Sequence, residues 1–148
     1  MFDRILIATD GSATAARATK AGTELAKRSG ASVVGYSAYE PVTAHVDLED
    51  GNYLDAATSA LLEGAAREAA RKYVATVGAA AARAGLRCRL IIGKSRDPAD
   101  GIVRAAARSK CDVIVIASHG RRGLTGLLLG SVTQRVLARA RMPVLVCR

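Results

Sequence analysis

Residues 113–135 read VIVIASHGRRGLTGLLLGSVTQR. From Val113 to Ala117 the side chains are apolar at odd and even positions alike, as a parallel strand covered on both faces requires. Beyond Ser118 and His119 the run breaks into glycines and arginines, then resumes as SVTQRVLARAR, a short helix opening at Ser131. Glycine allows the backbone to approach a ligand closely, so several glycines between a strand and a helix start suggest amides aimed at a bound group.

The same strand-then-helix unit recurs on either side. ILIA at 5–8 feeds the turn and cap residues Asp10, Gly11 and Ser12. The helix expected over 13–29 would present Ala18, Gly22, Leu25 and Ala26 on one face and stop at Gly30. ASVVGYSAY reads as a second strand, followed by an irregular stretch from Glu40 to about Asp55 that we expect to be a long loop. The longest helix is expected over 56–84, with Leu62, Ala66, Ala69, Tyr73 and Val77 aligned and Gly85 as terminator. LRCRLIIG alternates Leu86, Cys88 and Leu90 with Arg87 and Arg89, which suits a strand near a sheet edge. Asp97 then caps a third helix with Pro98 at its first position, and Ile102, Ala105, Ala106 and Ser109 face one way. PVLVC at 143–147 closes the chain as a last strand. The order β-α-β-α-β-α-β-α-β predicts an α/β fold, a parallel sheet with helices on both faces and right-handed crossovers.

With 148 residues, half of them hydrophobic, the chain is expected to form one domain, spanning 1–148. Its formal charge is +9, from 22 Lys and Arg against 13 Asp and Glu, which favours an anionic partner without choosing one. Most arginines fall on helix faces, including Arg67, Arg71, Arg104, Arg108, Arg135 and Arg139. Only 3% of residues are aromatic, so stacking platforms for a nucleic acid are scarce and such a partner is not expected. Cys88, Cys111 and Cys147 are isolated, with no CxxC spacing, which argues against a disulfide framework or a zinc site and for buried cytosolic thiols. No apolar run is long enough to span a bilayer, so a cytoplasmic protein without membrane contact is expected.

In open sheets of this kind ligands bind beyond the carboxyl ends of the strands, where strand order reverses. ATDGS after the first strand and ASHGRRGLTGLLLGSVT after the fourth both fall there. Gly120 and Gly130 are separated by nine residues, and the helix start that follows offers unpaired amides and partial positive charge, a suitable phosphate cradle. Ser131 with Gln134 also reads as a capping box, and the two roles are compatible. Asp10 on its own reads as a helix cap. Arg121 and Arg122 would neutralise terminal phosphates or lie on an exposed loop. His119 has no nucleophile and acid beside it and is expected to form structural hydrogen bonds; His45 carries less information still. GKS at 93–95 is not a Walker motif, since Cys88 occupies the required glycine position.

These segments resemble the universal stress protein family, of the adenine nucleotide alpha-hydrolase-like superfamily. That family's ATP motif is Gly, two residues, Gly, nine residues, Gly, then Ser or Thr. Here it runs Ala117, Ser118, His119, Gly120, RRGLTGLLL, Gly130 and Ser131, with Ala117 in place of the first Gly. The likeness extends to the ILIATDGS start, DVIVIASHGRRG and the PVLV end. It implies a Rossmann-like sheet of five parallel strands in order 3-2-1-4-5 and a homodimer, which we expect to form through the edge strand at 143–147. It also implies ATP, with or without Mg, as ligand. Ala8, Thr9 and Asp10 would then lie beside the adenosine, Asp10 accepting from ribose hydroxyls. Ala38, Ile116 and Ala117 would wall the adenine, and Gly120, Gly130, Ser131, Val132 and Thr133 would meet the phosphates. The expected function is a stress-response nucleotide-binding protein, with a nucleotide-free dimeric module or a slow ATP hydrolase as alternatives. No catalytic base is identified. Lysines at Val144 and Val146 are expected to give monomers.

Overall fold

The computed structural model describes residues 1–42, 55–119 and 129–148. Five strands and four helices alternate: β1 Arg4–Ala8, α1 Ala13–Ser29, β2 Ser32–Tyr39, α2 Ala56–Arg83, β3 Cys88–Lys94, α3 Pro98–Arg108, β4 Val113–Ala117, α4 Ser131–Arg139 and β5 Val144–Cys147. The strands form one parallel sheet in the order β3-β2-β1-β4-β5. Strand order reverses at β1, whose neighbours are β2 on one side and β4 on the other.

Both faces of the sheet are covered, which is why β4 and β1 beyond Arg4 carry apolar side chains facing either way. Ile5 and Ile7 join Val113 and Val115 in a cluster with Ala15, Ala18 and Ala26 of α1 and Val77 and Ala81 of α2. Leu6 and Ala8 join Ile114 and Ile116 on the other face, against Ala99, Ile102 and Ala106 of α3 and Val136 of α4. Ile5, Leu6, Ile7 and Ile114 are 0% exposed, so the hydrophobic core is two slabs divided by the central strands. Close approach of α1 requires Gly22, where a Cβ would come within 2.7 Å of the Ile7 side chain.

Helix ends follow the chemistry of their sequences. α1 ends at Gly30 in the left-handed region, φ 69°. Asp97 caps α3, accepting from the Ala99 amide at 3.0 Å, with Pro98 at the first turn. The face of α2 departs from expectation. Ser59, Ala70, Val74, Val77 and Ala81 are its buried residues, whereas Leu62 is 45% exposed and Ala66, Ala69 and Tyr73 lie on the flank. At 28 residues α2 is about 42 Å long, far longer than the strands it covers, so its first turns run beyond them. The loop expected from Glu40 to about Asp55 lies mostly outside the described residues, as does His45.

Candidate functional site

The carboxyl ends of β1 and β4 lie side by side at the point of reversal. Ile7 pairs with Val115, so Thr9 and Asp10 are level with Ala117 and Ser118. Thr9 extends the ladder with β2, its amide donating to the Tyr36 carbonyl at 2.9 Å. The chain then turns sharply. Gly11 takes φ 78°, a region glycine tolerates, and its amide donates to Thr9 Oγ1 at 3.2 Å. A Cβ at Gly11 would also overlap the Tyr73 ring of α2, so this loop is pressed against that helix. Asp10 Oδ1 accepts from the Ser12 amide at 3.0 Å, while Ser12 itself caps α1 through the Ala15 amide. Asp10 is therefore not the cap its position suggested; its carboxylate shapes the turn.

Opposite, the start of α4 is fastened to the end of β4. The Gly130 amide donates to the Ser118 carbonyl at 2.8 Å, and the buried Thr133 hydroxyl donates to the Ala117 carbonyl at 2.8 Å. The Ser118 amide donates to the Cys147 carbonyl at 2.6 Å. Gly130 is the N-cap, with φ −60° and ψ 150°, and among the described residues no side chain caps the helix. The expected capping box does not form: Ser131 lies one residue inside the helix, and the Gln134 side-chain amide donates to the Leu129 carbonyl. By contrast α1, α2 and α3 are capped by Ser12, Asp55 and Asp97. Among the described residues no side chain takes up the first-turn amides of α4, which lie at the positive end of the helix dipole.

The remaining expected residues divide by face. Ala38, Ile116 and Val132 pack in the cluster on the α3 and α4 side, forming an apolar wall at the strand ends. Ala117 belongs to the other cluster, with Ile7 and Val115 under α1. The methyl group that replaces the motif's glycine hydrogen is thus turned away from that wall. Ser118 Oγ lies 3.1 Å from His119 Nδ1, and among the described residues no carboxylate is bonded to the His119 ring. Gly120, Arg121 and Arg122 lie outside the described residues. Among the described residues no cluster of His, Cys, Asp or Glu is arranged to hold a metal ion.

Two features escaped the sequence reading. Ser37, on β2 beside this end of the sheet, is 1% exposed and its hydroxyl has no hydrogen-bond partner among the described residues. In β5 the Pro143 and Cys147 carbonyls accept from β4, so alternation leaves the backbone groups of Val144 and Val146 on the open edge. Their side chains pack onto the core instead, while Leu145 is 40% exposed. Lysine at 144 and 146 would therefore disrupt the core, and it is Leu145 that offers a surface test of this edge.

A doubly wound parallel sheet with strand order reversing at β1 defines a Rossmann-like α/β protein. A model of the Universal stress protein family matches residues 1–148. The chain belongs to that family. It is 35% identical, over the full length of both chains, to a Thermus aquaticus universal stress protein encoded in the QAH/OAS sulfhydrylase 3' region. Among solved structures it resembles hypothetical protein MJ0577 of Methanocaldococcus jannaschii, with 26% identity, TM-score 0.79, and 99% and 96% of the two chains covered. It also resembles a universal stress protein solved in complex with cAMP, with 25% identity, TM-score 0.64, and 99% and 97% coverage.

Proposed function

We propose that this protein is a cytosolic, ATP-binding universal stress protein that works as a homodimer in a stress-response or regulatory role. The observation that carries the reading is the uncapped start of α4, fastened beside the end of β1. Amides of Ser131, Val132 and Thr133 are suited to phosphate oxygens, with the helix dipole adding positive potential. Thr133 has already committed its hydroxyl to Ala117, so its amide is the available donor, whereas the Ser131 hydroxyl is exposed and can serve a phosphate. Ala38 and Ile116 suit an adenine ring, Ala8 and Thr9 the adenosine edge, and the Asp10 carboxylate the ribose hydroxyls. Gly120 and Arg121 complete the motif in sequence. The relative bound to cAMP supports an adenine nucleotide as the ligand class, and the orientation of Ala117 supports tolerance of its methyl group.

Hydrolysis would need a base that positions water, and His119, bonded to Ser118 without a carboxylate behind it, is a weak candidate. Binding and signalling fit the site better. Mg would accompany the nucleotide phosphates, held chiefly by them.

Calorimetric titration of nucleotide-stripped protein with Mg-ATP tests the reading, beside a Ser131→Ala, Gly130→Val double variant. Gly130 has backbone angles open to any residue, so valine there crowds the phosphate position without straining the chain. Saturable binding that the double variant weakens by about tenfold or more is expected. No heat and no thermal stabilisation at millimolar ATP would reject it and favour a nucleotide-free module.

A further inference from the structure

The opposite end of the sheet carries a second concentration of charge. A recess of about 280 Å3 opens at the amino-terminal ends of β1, β2 and β3, lined by Arg4, Ser32, Val34, Arg87, Arg89 and Ser109 among others. Strand register directs these arginines to one face. Arg89 pairs with Val34, whose side chain belongs to the α3-side cluster, and Arg87 precedes it by two residues. Arg4 precedes Leu6 of the same cluster by two residues, and its Nη1 donates to the Ser109 carbonyl at the end of α3, at 2.5 Å.

None of the three guanidinium groups forms an ion pair among the described residues. The Asp112 carboxylate, close to Arg4, is engaged by the amides of Asp3 and Arg4 at 2.6 and 2.7 Å. Charges on an edge strand discourage strand-to-strand aggregation, which accounts for Arg87 and Arg89 on their own. It does not account for Arg4 on the central strand, nor for a concave site bringing cations from two strands together.

We infer that this recess binds a phosphate dianion, independently of the nucleotide crevice at the other end of the strands. Guanidinium forks match phosphate oxygens, and a dianion with three terminal oxygens answers three cations better than a single carboxylate does. Inorganic phosphate and the terminal group of a phosphomonoester present the same chemistry to these arginines.

The test follows arginine Nε–Hε signals by NMR in the full chain during titration with inorganic phosphate, glycerol 3-phosphate and succinate. Saturable shifts with a phosphate, weakened about tenfold or more in an Arg87→Gln, Arg89→Gln variant of unchanged circular dichroism, are expected. Tighter binding of glycerol 3-phosphate names a phosphomonoester as the occupant and tighter binding of inorganic phosphate names the free ion; either supports the site. The Ser131→Ala, Gly130→Val variant should bind as the parent does. Loss there with no effect at Arg87 and Arg89 would place the phosphate at α4 and overturn this inference. An equal response to succinate, or no saturation by about 10 mM, would also overturn it.

Discussion

Thr133 and Ser37 are both buried hydroxyls close to the crevice, and they predict opposite mutational signs. Thr133 satisfies the Ala117 carbonyl, so Thr133→Val leaves that buried oxygen unpaired and should cost about 1–3 kcal/mol in urea denaturation. Ser37 has no hydrogen-bond partner among the described residues, so Ser37→Ala removes an unpaired polar atom and should raise the melting temperature. A lower melting temperature for Ser37→Ala would show that its hydroxyl is satisfied after all. The thiols predict an order of labelling. Burial pushes the Cys111 thiol up to about 11 and raises Cys88 and Cys147 less, so near neutral pH a thiol reagent should modify Cys111 last, as read by peptide mass. Some residue-scale facts had no sequence signal. Ala117 was legible as a departure from a motif, but the face its methyl takes depends on strand register, where one residue of offset reverses every side chain. Ser131 resembled a cap because Ser commonly is one, yet Gly130 holds that position through backbone angles that any residue can adopt.

Elements were easier to read than residues wherever the sequence offered contrast. β-branched runs located the strands, and Gly11, Gly30 and Pro98 located the turns and helix termini, because these residues act through the backbone itself. In α2 the contrast fails: alanine fits buried and exposed positions alike, so the face centred on Leu62 and Tyr73 was as credible from sequence as the true one through Ala70 and Val74. The packing of α3 against α4 makes a prediction about acid. Asp97 caps α3 while accepting from Arg139 at 2.5 Å and pairing with Arg135 at 3.3 Å. The Arg139 hydrogen bond holds its carboxyl below the usual range. A depressed folded value means the stabilisation is present above the unfolded pKa of about 3.9 and is lost as pH falls through the folded value. Asp97→Asn keeps a capping oxygen but not the charge, so its melting temperature should fall below the parent's at pH 7 and approach it near pH 3. A constant gap across that range would mean the charge has no part. Comparison with the variant is needed because Asp55, Glu63 and Asp112 are depressed in the same direction.

At the scale of the whole molecule, the sheet has two open edges of different character. β3 bears Arg87 at its entry and Arg89 and Lys94 along its length, whereas β5 offers Leu145 and the backbone groups of Val144 and Val146, which have no partner among the described residues. An apolar edge with unpaired donors and acceptors suits pairing with a second copy, and this supports the dimer in the proposed function. Leu145→Glu should halve the mass measured by light scattering while leaving circular dichroism unchanged; a dimeric mass in that variant would exclude this edge. The topology also sets a schedule for synthesis. β1 leaves the ribosome first, yet its partner β4 follows roughly a hundred residues later, a wait of about 5–20 s at ordinary elongation rates. Until then Ile5, Leu6 and Ile7, all fully buried in the finished fold, form the unshielded rim of an incomplete three-stranded sheet. A fragment ending near residue 110 should therefore precipitate or recruit chaperones, and the nascent chain acquires its crevice only when the last third of the sequence arrives.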